Sequence, residues 1–239
     1  MTDIRNIYKK YQAQTFPSPS LLHVKSASGS YIRDYDDKEY LDFVAGVSAC
    51  SIGHCNKEVT TAVKNQINKY SHVMVYGEYI QDPQYKLAKL LADNLPDSLS
   101  TTYFTNSGAE AIEGAIKLAK RINKRSEIIY CKDSYHGSTH GALSVMGNEE
   151  YKSNYRPLIP NCNQIIYNKI ESLEKITDKT SAIIVETIQG ASGFIEASQD
   201  FLNQLKKKCI KNNVLIIFDE IQTCFGRTGK LFGFEHTKI

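Results

Sequence analysis

Four short stretches of the sequence carry residue types that could bind a ligand or move a proton. Thr105-Asn106-Ser107-Gly108-Ala109-Glu110-Ala111 is a run of small and polar residues at the head of a helical pattern. First-turn N–H groups of a helix lack internal partners, and with the helix dipole they can hold a phosphate. Gly108 and Ala109 leave room for close approach to the backbone; the plainer alternative is an ordinary turn capped by Ser107. Asp219-Glu220-Ile221-Gln222 follows the apolar run 214–218. A carboxylate ending a buried strand needs donors or a cation, such as a metal, a protonated ring nitrogen or an arginine. Ser134-Tyr135-His136-Gly137-Ser138-Thr139-His140 sets an aromatic ring beside a glycine turn, where Tyr135 could stack on a planar ligand or simply pack. His136 and His140 are spaced i, i+4 but lack the Glu of a zincin H-E-x-x-H, so each reads as a satisfied surface or core histidine. Glu186-Thr187-Ile188-Gln189-Gly190 also follows an apolar run, and its plain reading is a strand-ending turn.

The elements around these stretches explain how they could meet. Residues 101–105 read as a strand, 108–121 as a helix, 127–131 as a strand, 182–187 as a buried strand, 199–212 as a helix and 214–219 as another buried strand. Short apolar strands alternating with amphipathic helices mean βαβ crossovers, hence an α/β fold with a mainly parallel sheet. Ligands of such sheets bind beyond the carboxyl ends of the strands, where all four stretches fall. Upstream, residues 1–30 read as irregular, and 31–36 with 39–43 as a hairpin across Asp36-Asp37-Lys38. A helix over 57–70 is capped by Asn56, and another begins with Asp82 as N-cap and Pro83 in its first turn.

Composition narrows the function classes. With 41% apolar and 23% charged residues over 239 positions, the chain suits a folded globular domain rather than a disordered or fibrous one. Twenty-nine basic against 26 acidic residues leave +3, too small an excess for nucleic-acid binding, and Lys206-Lys207-Lys208 reads as a solvated helix face. The longest strongly apolar run, 214–218, is far short of the ~20 residues of a membrane span. The start MTDIRNIYKKYQ has no apolar core, so no secretory signal is expected. Six cysteines without a C-x-x-C pair read as reduced thiols of a cytoplasmic protein. Cys50, His54 and Cys55 hint at a metal, but no second ligand pair with zinc spacing follows. The apolar run before Asp219-Glu220 also resembles a Walker B strand; no G-x-x-x-x-G-K-[ST] precedes it, and G-x-G-x-x-G is absent too.

A phosphate cradle, a flat ring, a carboxylate and a polar turn at four strand ends together suit a planar, phosphorylated, protonated heteroaromatic ligand, and pyridoxal phosphate meets all four demands. At this point the sequence resembles the class III, ornithine/acetylornithine/ω-amino acid type, pyridoxal-phosphate-dependent aminotransferases. LDFVAGVSACSIGHC, TNSGAEAIEGAIKLAKR, YHGSTHGALSVMG, ETIQG and IIFDEIQTCFGRTG carry the resemblance, in the family's order, over most of 40–230. It implies the large domain of a fold-type I transferase over 46–239, with 1–45 contributing to a small lobe. It also implies that the Gly108 and Ala109 amides, with Ser107, hold the cofactor phosphate. Tyr135 and Ile221 flank the pyridine ring, Asp219 keeps its nitrogen protonated, Gln222 reaches toward its phenolic oxygen, and Glu186 lines the site. The implied reaction moves an amino group from an amino acid or ω-amine to a 2-oxo acid.

Departures from the family pattern sharpen the expectation. Ser138 stands where many ornithine-, acetylornithine- and 4-aminobutyrate-type enzymes have Arg, and Ala191 where they often have Glu. Cys224 replaces a usual Gly, and Asn56 stands where His-Pro is common. The family's Schiff-base lysine would fall at about position 248, on a strand beyond Ile239. The resemblance therefore implies the N-terminal part of such an enzyme, truncated before the lysine-bearing strand. The expected partner is a second copy in a homodimer or a complementing C-terminal chain, and only a chain that carries the lysine would complete the enzyme. The alternative is a non-catalytic remnant that binds pyridoxal phosphate or a partner.

Overall fold

The structure, a computed structural model, describes residues 3–74 and 77–239; the first two residues of the N-terminal stretch lie outside it. The chain divides into two compact units, one ending at Val73 and the other beginning at Met74, so the division expected after residue 45 falls inside the first unit.

The first unit opens with α1 (Ile4–Tyr11), capped by Asp3, whose carboxylate accepts from the Arg5 amide. Strands β1 (Val24–Ser28), β2 (Tyr31–Asp34) and β3 (Glu39–Leu41) form an antiparallel sheet in that order. The β2–β3 turn is set by Asp34, whose Oδ1 accepts from the amides of Asp36 and Lys38 at 2.9 and 3.0 Å. Residues 3–30 are thus not irregular throughout. The helix α1 carries Ile4, Ile7, Tyr8 and Tyr11 at helical spacing although none of them is buried, and β1 is polar and exposed, drawing its conformation from pairing with β2. Helix α2 (Lys57–Ile67) is capped by Asn56 as expected and ends short of Tyr70, whose carbonyl instead accepts from the Gln66 side chain at 3.0 Å.

The second unit begins with α3 (Asp82–Ala92), in which Pro83 occupies the first turn and Gln81, not Asp82, is the N-cap residue. Then follow α4 (Gly108–Asn123), β4 (Glu127–Cys131), α5 (His140–Ser144), β5 (Cys162–Ile165), β6 (Thr180–Glu186), β7 (Ile188–Gln189), β8 (Ile195–Glu196), α6 (Gln199–Asn212) and β9 (Leu215–Asp219). Four of these strands make a parallel sheet in the order β5-β4-β6-β9. Every residue of β6 is buried, because helices cover both faces. Alternate residues sort between them. Ile129, Cys131, Ile183 and Val185 pack with Phe201, Leu202, Leu205 and Cys209 of α6. Ile128, Tyr130, Ala182 and Ile184 pack with Ile112, Ile116 and Ala119 of α4. Arg125 fastens the amino ends of this layer, donating to the carbonyls of Thr180, Asn212 and Asn213 at 2.8–3.0 Å.

Residues 101–105 are not a strand. They pair with no described strand, and Tyr103 is 80% exposed. Their β-rich composition supplies a propensity, but a strand needs a neighbour to hydrogen-bond, and this sheet ends at β9 on one side and β5 on the other. Among the described residues, no helix is long and apolar enough to cross a membrane.

Candidate active site

The carboxyl ends of β4, β6 and β9 lie side by side, and the parallel register sets Glu186 directly beside Asp219. Two carboxylates on adjacent, buried strand ends repel each other unless donors surround them. The turn after β4 and the segments that follow the two acids supply those donors. Nδ1 of His136 lies 2.7 Å from Oδ2 of Asp219, with the side chains 0% and 4% exposed, and Oδ1 of Asp219 accepts from the Ile221 amide at 3.0 Å. Glu186 accepts from the Tyr135 amide through one oxygen and from the Gly190 amide through the other, each at 3.2 Å. Burial pushes the Glu186 carboxyl above the ordinary carboxylate range, while nearby His136 and these two amides pull it back.

Glycines bring the remaining turns together. Gly137 has φ +115°, and a Cβ on it would lie 2.7 Å from the Ala109 Cβ, so the 134–138 turn rests on the first turn of α4. A Cβ on Gly108 would lie 2.8 Å from Cδ1 of Ile221, which brings the turn after β9 to the same helix end. Gln222 lies against Gly190, where an added Cβ would overlap its side-chain oxygen. Gly137→Ala should therefore lower the unfolding free energy by about 2 kcal/mol, from a left-handed backbone cost and overpacking against Ala109. A urea denaturation series measures it, and an unchanged midpoint would show that the two turns do not meet.

The N-terminal end of α4 faces this cluster with free first-turn amides. Ser107 caps α4, its Oγ accepting from the Glu110 amide at 3.2 Å, while Glu110 accepts from the Asn106 amide at 2.7 Å. This is a reciprocal capping arrangement, so Ser107 fulfils the plainer reading of its type. The amides of Gly108 and Ala109 have no partner within the helix. Tyr135 and Ile221 are both about half exposed, and the Tyr135 hydroxyl is 3.3 Å from Oγ of Ser138. Glu220, the second acid of the Asp-Glu pair, does other work. It accepts from the amides of Gly233 and Phe234 and from the Thr223 hydroxyl, fastening the chain that follows.

The structure thus brings Ser107, Gly108, Ala109, Tyr135, Glu186, Asp219, Ile221 and Gln222 to one end of the sheet. His136 is the residue that sequence reasoning passed over. Its place comes from Asp219, since a carboxylate ending a buried strand requires a donor from a neighbouring turn. Its Nε2 is, among the described residues, a buried side-chain nitrogen without a partner. The other histidine of the pair, His140, is exposed and pairs with the Pro157 carbonyl. Among the described residues no group of three or more His, Cys, Asp and Glu side chains is placed to hold a metal.

A parallel sheet with paired carboxylates at its carboxyl edge, set against a helix N-terminus, defines an α/β domain with a polar site at that edge. The chain belongs to the class-III aminotransferases, whose family model matches residues 12–239. It is 40% identical over 235 residues to the acetylornithine aminotransferase of Caldanaerobacter subterraneus, an alignment covering 95% of this chain and 58% of the relative. Among solved structures, the adenosylmethionine-8-amino-7-oxononanoate aminotransferase of Methanocaldococcus jannaschii superposes with a TM-score of 0.90 at 30% identity, covering 97% of this chain and 57% of that one. The taurine:2-oxoglutarate aminotransferase of Bifidobacterium kashiwanohense, in complex with pyridoxal phosphate and glutamate, superposes with a TM-score of 0.89 at 26% identity, covering 99% and 59%. The chain thus spans less than two thirds of the length of the relatives it matches, and its fold is the fold-type I large-domain architecture over that part.

Proposed function

We propose that this chain forms the pyridoxal-phosphate-holding part of an aminotransferase that moves an amino group from an amino acid or ω-amine to a 2-oxo acid. The observation that carries the reading is the buried His136–Asp219 pair at a strand end, set beside the anion-ready first turn of α4. The residues present fit the cofactor. The Gly108 and Ala109 amides, with the helix dipole, hold its phosphate, and Ser107 fixes the turn that presents them. Tyr135 and Ile221 flank the flat ring. Asp219 holds a proton on the ring nitrogen, and His136, bonded to the same carboxylate, fixes the orientation of Asp219. Glu186 orders the turn that carries Tyr135, and Gln222, which lies against Gly190, would reach toward the ring's phenolic oxygen. When bound, the cofactor supplies an electron sink for negative charge developing at the substrate's α-carbon. The completing lysine comes from a C-terminal continuation or a complementing C-terminal chain, the assembly is a homodimer, and the protein works in the cytoplasm, where its six free thiols persist.

Titration of the purified chain with pyridoxal phosphate tests the reading. The expected outcome is a saturable induced circular dichroism band of the cofactor. A folded chain that shows no such band at saturating cofactor overturns it.

Substrate choice follows from two positions. Ser138, bonded to the Tyr135 hydroxyl, presents a hydroxyl where an Arg would bind a carboxylate, and Ala191 has no charge to pair with a mobile Arg. Ornithine and acetylornithine are therefore expected to be poor donors for the completed enzyme, with monoamines or ω-amino acids at least about tenfold better in kcat/KM, the scale of one lost charge-assisted hydrogen bond. A donor panel measured as kcat/KM decides this, and ornithine ranking first would contradict it.

A further inference from the structure

We propose that Cys50 is a reactive thiol and a site of covalent modification by low-molecular-weight disulfides, with His54 as its base and Asp42 as the carboxylate that orients the base. These residues lie in the first unit. Cys50 Sγ is 3.9 Å from Nδ1 of His54, and Nε2 of His54 is 2.7 Å from Oδ2 of Asp42. The hydrogen bond from His54 holds the Asp42 carboxyl below the ordinary range, assisted by the Ala45 and Val44 amides, so Asp42 is the acceptor. That places the imidazole proton on Nε2 and leaves the Nδ1 lone pair facing the thiol. A nucleophile beside a base that is itself oriented by a third group is the arrangement that activates thiols and hydroxyls.

The backbone holds all three members. Asp42 accepts from the amides of Val44 and Ala45 through Oδ1, at 3.0 Å each, which leaves Oδ2 for the imidazole. His54 exchanges two backbone hydrogen bonds with Gly29, at 2.7 and 3.0 Å. Gly53 permits this approach: its φ is +80° and an added Cβ would sit 3.0 Å from the Gly29 carbonyl oxygen. The Cys50 amide donates to the Ala45 carbonyl at 2.9 Å. Ala45, Val47 and Ser48 all have positive φ. For a β-branched residue such as Val47 that conformation is costly, and it persists only where the surroundings over-determine it. Cys50 is partly exposed, so a small reagent can reach it.

The step balances without an external oxidant or reductant. The Cys50 sulfur attacks one sulfur of the reagent RSSR as its proton passes to Nδ1 of His54. The Cys50–SR bond forms, the reagent's S–S bond breaks, and the departing RS⁻ collects the proton as RSH.

The test uses the full chain, 2-hydroxyethyl disulfide at pH 7, and peptide mass spectrometry to time modification at each cysteine. Cys55, exposed on the same loop, is the internal comparison, and the buried Cys131 and Cys209 report unfolding. Cys50 is expected to react about tenfold or more faster than Cys55, and His54→Gln and Asp42→Asn are each expected to remove most of that advantage while Cys55 is unchanged. Wild-type Cys50 reacting no faster than Cys55 overturns the proposal without any variant. So does a folded His54→Gln or Asp42→Asn protein in which Cys50 keeps its full rate.

Discussion

Replacing Asp219 with alanine is expected to weaken pyridoxal phosphate binding by about a hundredfold or more. Asp219 is buried, and its carboxylate meets Nδ1 of His136 at the strand end. Removing one member of a buried charged pair costs about 3–5 kcal/mol, because the partner is left without compensation. Two partners are left here: the ring nitrogen in the complex, and His136, whose Nε2 already lacks a partner. The variant should therefore lose stability as well as affinity. Asp219→Asn separates the two effects, since an amide can still meet Nδ1 of His136 but carries no charge. It should keep most of the stability and still bind cofactor poorly. Equilibrium dialysis reads affinity and urea denaturation reads stability. An Asp219→Asn protein that binds pyridoxal phosphate as well as its parent would remove Asp219 from the assigned role.

The 239-residue polypeptide on its own is expected to give no measurable transamination. Proton transfer at the substrate's α-carbon needs a positioned base, and such a base contributes about 10²–10⁴-fold. The resemblance assigns that role to a lysine at about position 248, beyond this chain's own residues. Lys152 is buried with its ammonium donating to the Tyr130 hydroxyl and the Met146 carbonyl, both at 2.8 Å. Coupled amino-acceptor assays should read background for the chain alone and turnover when a polypeptide carrying the missing lysine is co-expressed. Turnover by the chain unaided, with borohydride labelling one of its own lysines, would contradict the expectation.

The buried parallel layer was legible in the sequence because its signals are local. Helix α6 announces itself by Ser198 at its cap and a four-residue apolar stripe, and β6 and β9 by continuous apolar runs. The site was legible for the same reason: a buried strand that ends in an acid must satisfy that acid. What was not legible depends on partners distant in sequence. His136 carries no marker of its own and acquires its place from Asp219, 83 residues away. Residues 101–105 have strand-forming composition, yet a strand is a property of a pair. Strand β5, Cys-Asn-Gln-Ile, is too polar and short to be predicted; it forms because β4 offers it an edge. In the first unit, α1 does carry Ile4, Ile7, Tyr8 and Tyr11 at helical spacing, but over only eight residues, and β1 is polar and exposed, so its place depends on pairing with β2.

The most direct test of the central claim, that Asp219 holds a proton on the ring of a bound cofactor, is the ¹⁵N chemical shift of ring-labelled pyridoxal phosphate bound to this chain. The signal is expected in the protonated pyridinium range at neutral pH, and in the unprotonated pyridine range for whatever fraction binds to Asp219→Asn. An unprotonated signal in the parent chain, or a protonated one that survives Asp219→Asn, would contradict the account.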